Sequence, residues 1–410
     1  MPALAFLDAV PGEAAFYADD LMAIRAGAHH DGFAYAGRPI TPGHDAVRAP
    51  ARAILLRVET AAGAVGWGDA VSVQYAGVGG RDAPIDPASL RAEVALAESA
   101  LQAAGDLEFA SACRLVEDLR HEGRPLHTAV RYGLSQALLA ASAAEARTSP
   151  LRILARLTGL EDPALLAVYA QSGDDRRLNA DRMILRGVEV LPHGLFNSVT
   201  AFGEDGGAFL DYVRWLRRRV GEIGPSGYAP RVHLDLYGML GQVVDCDIER
   251  MATFLGEAAA AADGLPLAIE SPCYGDDVDG TVALLSALRA ELRRRDIHIA
   301  LVADEFCNTD EDVRRFAAAE AVDLIQIKMP DLGCLTEAIT AARVCRESGM
   351  GVFIGGSCAE TEVSAVASTH VAMAVAADQV LAKPGMGVDE GVTIVRNAMR
   401  RALVDWERTI

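Results

Sequence analysis

RVHLDLYG (231–238), PLAIESP (266–272), IALVADEF (299–306) and LIQIKMP (324–330) are four short apolar, β-rich runs that follow one another along the chain. The first three carry Asp235, Glu270 and Asp304 at their C-terminal ends, and the fourth ends in Lys328. Each run is followed by a helix-like stretch. In a parallel barrel the C-terminal strand ends converge on one face, where active sites are built. Three carboxylates facing one crevice repel one another and are costly unless paired, hydrogen-bonded or bound to a metal. A hard divalent cation relieves that cost, and an all-oxygen donor set favours Mg²⁺ over zinc. Lys328 shares its face with Gln326, because side chains alternate along a strand. Beside a dication and desolvated, its amine is expected to have a lowered pKa and to act as a general base. Schiff-base chemistry and a snorkelling lysine are the competing readings of that residue.

The alternating texture begins near residue 160. Further strand candidates are LLAVYAQ (165–171), VEVLPHG (188–194), GVFIGGS (351–357) and QVLAKPG (379–385). Eight β-runs separated by helical stretches predict an α/β fold of the modified TIM (β/α)8 barrel type. An open doubly wound sheet is the alternative, but no GxGxxG follows an early strand. The first crossover (about 172–187) is short and weakly helical. Upstream, RAILLRVETA (52–61) reads as a strand that passes through the turn-rich AGAVGWGDA into VSVQYAGVGGRD (71–82). Helices are predicted over 88–104, 109–120 and 127–147, the last stopped by the proline of RTSP. The expected organisation is an N-terminal α+β capping domain (1–160) and a barrel catalytic domain (161–410).

The chain of 410 residues carries 57 acidic and 38 basic residues, for a net charge of −19. That balance argues against nucleic acid or an anionic membrane surface as partner. No apolar stretch is long enough to span a membrane, and the first residues lack the basic region of a secretory signal. Seven scattered cysteines without CxxC spacing support neither a zinc site nor a disulfide framework, so a cytoplasmic location is expected.

Other strand ends complete a polar ring. His193 ends VEVLPHG, across the predicted barrel from Lys328, so an acid and a base could act on two faces of one substrate. Gln171 and the pair Ser357-Cys358 end two further strands and could hydrogen-bond substrate carboxylates or an ammonium. No local base accompanies Cys358, which favours contact or packing over nucleophilic attack. Gln74 lies in the glycine-rich VQYAGVGG, a loop that could close over the mouth.

These segments together closely resemble the methylaspartate ammonia-lyase family of the enolase superfamily. The resemblance is carried by Gln171-Ser-Gly, Leu-Pro-His193-Gly, Asp235, Glu270-Ser-Pro, Asp304-Glu, Gln326-Ile-Lys328, Gly-Gly-Ser357-Cys358 and LAKPGMGVDE from Leu381. It implies a cap over a modified barrel, Mg²⁺ held by Asp235, Glu270 and Asp304, and a homodimer. It also implies that Lys328 removes the C3 proton of L-threo-3-methylaspartate while His193 acts on the opposite face, with mesaconate and ammonia as products. Substrate contacts would come from Gln74, Gln171, His193, Gln326, Ser357, Cys358 and Leu381. Ser357 departs from the threonine usual in the family, keeping the hydroxyl and losing a methyl. Another enolase-superfamily dehydratase or cycloisomerase is the nearest rival, although many cycloisomerases have Lys-x-Lys where this chain has LPHG. A silent scaffold barrel is the rival from another class, and it would lack this ring of site residues.

Overall fold

Eight parallel strands close into a barrel in chain order: Val168–Gly173, Val190–Gly194, Arg231–Asp235, Leu267–Glu270, Ala300–Ala303, Leu324–Ile327, Gly351–Ile354 and Gln379–Ala382. The structure is a computed structural model describing residues 3–173, 175–194, 196–383, 385 and 387–408. Pro384 and Met386 of the LAKPGMGVDE segment therefore lie outside the described residues. The weakly helical first crossover forms a helix, Arg176–Leu185. Among the described residues no helix is long and apolar enough to cross a membrane. All seven cysteines are free.

Both faces of these strands are buried, yet alternation still decides which side chains face inward. Tyr169, Val190, Ala268, Val302, Leu324, Phe353 and Leu381 form an apolar layer inside the barrel. Their chain neighbours, such as Val168, Leu191, Ile269, Leu301 and Val352, join the larger core shared with the helices. Two residues beyond members of the inner layer come Gln171, Glu270, Asp304 and Gln326, on the same inward parity at the barrel mouth. Asp235 pairs directly with Glu270 across the third and fourth strands. Glu270 in turn pairs with Val302, so Asp304 stands further out along the fifth.

The second strand breaks the parity. Tyr169 pairs with Val190 but Gln171 pairs with His193, so one extra residue is accommodated between Val190 and His193. The irregularity falls at Leu191-Pro192, where a proline costs no ladder donor, and it turns His193 rather than Pro192 inward.

The cap is a three-stranded antiparallel sheet of Leu4–Asp19, Arg48–Thr60 and Val65–Val71. Against it packs the helix Thr128–Glu145, close to the predicted 127–147. Two elements differ from expectation. AGAVGWGDA is mostly strand rather than turn, and Leu4–Asp19 is a strand with no counterpart in the sequence reading. The glycines explain the first difference. A Cβ at Gly66 or Gly68 would collide with the backbone carbonyls of Ala137 and Gly133 on the helix. The strand uses glycine to let a helix approach, and so loses the apolar alternation by which strands are recognised.

Cap and barrel meet at the turn after the seventh strand. Ala15 N–H donates to Ala359 O at 3.2 Å, and Asp69 of the cap accepts from Thr361 N–H (3.0 Å) and Ser364 Oγ (2.7 Å). Tyr132 OH donates to Glu360 at 2.6 Å. Glu360 also faces Lys383 Nζ at 3.2 Å, with both side chains fully buried. The chain contains only two lysines, Lys328 and Lys383, and both stand at the barrel end where the cap docks. Removing one partner of a buried ion pair leaves an uncompensated charge. Lys383→Met should therefore lower unfolding stability by about 3–5 kcal/mol, read from urea denaturation midpoints. A stability equal to wild type would show that Glu360 takes up a proton there without cost.

Candidate active site

At the barrel mouth a cavity of about 40 Å³ is lined by Gln74, Gln171, His193, Asp235, Asp304, Gln326, Lys328, Ser357, Cys358 and Leu381. Every site residue expected from the sequence lines it except Glu270, which is fully buried beneath. A larger cleft of about 1130 Å³ opens alongside, between cap residues such as Arg25, Phe33 and Tyr35 and the barrel loops, and it shares Gln171 with the cavity.

The acids are held differently. Asp235 accepts from Tyr237 N–H at 2.9 Å, and its second oxygen lies 3.3 Å from His193 Nε2. Glu270 accepts from the Gln326 amide, while its Oε2 has no hydrogen-bond partner among the described residues. Burial, reinforced by the charges of Asp235 and Asp304, raises the Glu270 pKa well above the usual carboxylate range. Asp304 accepts from Lys328 Nζ at 2.8 Å and faces Arg81 at 3.2 Å. Its Oδ1 is also buried with no hydrogen-bond partner among the described residues. Burial raises the Asp304 pKa, but Lys328 and Arg81 outweigh that and hold it below the ordinary value. The neighbouring Glu305 is pushed up to about 7 by burial and by the charges of Asp304 and Asp235.

At the mouth, the potential ligand atoms of His193, Asp235 and Glu270 lie within 4.8 Å of one another among the described residues. Asp304 is turned instead toward its two cations. Lys328 also differs from expectation. Burial and Arg81 depress its pKa, but Asp304 and Asp331 outweigh them, so it sits above the ordinary lysine value. The ion pair with Asp304 is the physical reason, since it favours the ammonium.

Across the mouth, the second strand places His193 opposite the sixth strand, which carries Lys328. Its Nδ1 lies 2.9 Å from Gln171 Nε2. The Gln171 carbonyl oxygen accepts from Cys358 Sγ at 3.5 Å. Burial pushes the Cys358 thiol up to about 12, which fits a contact role and not a nucleophile. Ser357 Oγ accepts from Ala359 N–H at 3.1 Å. Gln74, expected on a loop over the mouth, is buried and donates to Asp19 at 2.9 Å.

Sequence reasoning missed Arg81, Tyr75 and Tyr237, which also line the cavity. Arg81 reaches in from the cap, pairing with Asp331 at 2.7 Å as well as Asp304. Its signal was faint. It follows Gly79 and Gly80, whose φ of 66° and 81° make a turn that few other residues adopt.

Comparison with known proteins identifies the family. The family model described as methylaspartate ammonia-lyase N-terminus matches residues 4–159, and that for the C-terminus matches 162–408. The chain belongs to the methylaspartate ammonia-lyase family. It is 43% identical over 409 residues to methylaspartate ammonia-lyase of Haloarcula marismortui, covering 98% of this chain and 96% of that protein. Among solved structures it is similar to methylaspartate ammonia-lyase of Citrobacter amalonaticus containing (2S,3S)-3-methylaspartic acid. That match has a TM-score of 0.93 at 38% identity, over 99% of this chain and 100% of that one. The Mg complex of β-methylaspartase from Clostridium tetanomorphum matches with a TM-score of 0.90 at 38% identity, covering 99% of both chains. Muconate lactonizing enzyme from Pseudomonas fluorescens matches at 17% identity with a TM-score of 0.61 over 91% of this chain and 85% of that one, a likeness of fold alone.

Proposed function

We propose that this chain is a Mg²⁺-dependent carbon–nitrogen lyase that eliminates ammonia from L-threo-3-methylaspartate to give mesaconate. One observation carries the reading. Among the described residues, Glu270 Oε2 and Asp304 Oδ1 are buried carboxylate oxygens without a hydrogen bond, beside Asp235, with Lys328 on Asp304. Orphaned, hard, anionic donors fit a dication. Asp235, Glu270 and Asp304 would hold it. When bound, Mg²⁺ supplies the positive charge against which a second negative charge can build on the carboxylate attached to C3.

The protein's own groups do the rest. Lys328 takes the C3 proton. With Asp304 engaged as a ligand, Lys328 would lose the stronger of the two carboxylate contacts that raise its pKa, Asp331 remaining, and burial beside Arg81 would then favour the free amine that the base needs. His193, held by Gln171, acts from the other face, where the C2 amine departs as ammonia. Gln74, Gln171, Gln326, Ser357, Cys358 and Leu381 hold the dicarboxylate. We assign residues 1–160 to the cap and 161–410 to the barrel, in line with the two family matches. A homodimer in the cytoplasm is the expected assembly, checked by light scattering.

A panel of 3-substituted aspartates, incubated with the purified protein with and without Mg²⁺, tests the reading. The conjugated diacid should form from 3-methylaspartate only with metal. Absence of Mg²⁺ binding at millimolar metal would point to a silent barrel instead.

A further inference from the structure

The inner layer of the barrel is apolar at seven strands and polar at the third. There stands His233, fully buried and stacked on Tyr169 with ring centroids 4.4 Å apart and planes tilted by 11°. Its Nδ1 lies 2.9 Å from Gln379 Nε2. The other oxygen-bearing end of that amide, Oε1, accepts from Arg231 Nη1 at 3.2 Å. On its far side, His233 Nε2 approaches Glu270 Oε2 at 2.9 Å. That approach is off the line of a good hydrogen bond, and among the described residues neither atom has another partner. Glu270 Oε1 is taken by Gln326.

The order of donors along this chain of groups is forced. A guanidinium has only donors, so Arg231 requires the Gln379 oxygen to face it. The Gln379 amide N–H must then point at His233, which makes Nδ1 an acceptor without a proton. The remaining proton of the ring belongs on Nε2, facing Glu270. A doubly protonated ring would set its Nδ1–H against the Gln379 amide hydrogens, so the same chain excludes it.

We propose that His233 is a positioning residue: its tautomer, set through Gln379 by Arg231, places an N–H rather than a lone pair beside Glu270 Oε2, 2.9 Å away though off the hydrogen-bond line, and so holds that carboxylate in place for the cation. The proposal rests on the metal site described above. Partners behind a ligand orient it and tune its affinity, and losing one costs metal binding rather than chemistry.

The test is a Mg²⁺ titration of the full-length protein, with Mn²⁺ as a second probe, combined with ¹⁵N spectra of histidine-labelled protein. His233→Leu should weaken Mg²⁺ binding by about 10–100-fold. His233→Gln offers an amide N–H in place of Nε2–H and should recover most of that loss. Gln379→Met, which removes the group that selects the tautomer, should weaken binding and change the ¹⁵N pattern. Wild-type His233 should resonate with Nε2 protonated and Nδ1 bare, its signal assigned by its absence in His233→Gln. An Nδ1-protonated ring would overturn the proposal. So would equal Mg²⁺ affinity in wild type, His233→Leu and His233→Gln, even if both variants melt early. Should His233→Leu fail to fold, Gln379→Met and the wild-type spectrum decide. None of these readouts depends on ammonia release, so failure of the lyase reading would appear separately.

Discussion

Lys328→Ala is expected to remove the ultraviolet-absorbing product almost entirely, with a fall of about 10²–10⁴-fold in turnover. The protein should stay folded, because Asp304 keeps Arg81 at 3.2 Å when its lysine partner is gone. Lys328→Arg separates two roles. A guanidinium supplies the same positive charge but cannot be deprotonated in a protein. If Lys328 is the base, arginine should be as inactive as alanine. If it is only a fixed cation, arginine should retain activity. The composition bears on this. A chain with 38 basic residues but only two lysines meets nearly all its needs for positive charge with arginine. A lysine pointing into the cavity then suggests a need for a group that can lose its proton. Near-full activity in Lys328→Ala would remove it as the base.

The second large effect is expected at the metal. Stripping the protein with a chelator should abolish elimination, and added Mg²⁺ should restore it. Glu270→Gln should not recover at any ordinary Mg²⁺ concentration. Its amide keeps the shape but loses the charge and one acceptor, both of which a hard cation needs. Stabilisation of developing charge by a bound metal is worth several kcal/mol, so turnover should fall by roughly a thousandfold or more. Stability offers an independent reading. A ligand that binds only the folded state stabilises it, by about 2.7 kcal/mol at a hundred times its dissociation constant. Thermal midpoints should therefore rise with Mg²⁺ in wild type and stay flat in Glu270→Gln. A midpoint that rises equally in both would place the ion elsewhere.

Much of the barrel is legible in the sequence because each strand is short, apolar and closed by a polar residue. Parity alone then puts Glu270, Asp304, Gln326 and Lys328 on one face. His193 was legible by position, but not by parity. Its inward direction depends on the irregularity at Pro192, which only pairing with the first strand reveals. The cap was harder to read. Its third strand carries Gly66 and Gly68 where the helix touches, so the usual alternation is absent. Arg81 was illegible for a different reason. An arginine in a loop looks the same whether it meets water or Asp304 and Asp331. His233 sits two residues before Asp235, and that spacing was the available signal. Its partners Gln379 and Arg231 are neighbours only once the barrel closes.

Metal-assisted removal of the C3 proton with loss of ammonia is decided by one incubation. Purified protein, Mg²⁺ and L-threo-3-methylaspartate should give mesaconate absorbance and free ammonia in equal amounts, with neither formed after chelation. Full Mg²⁺ loading without either product would contradict it.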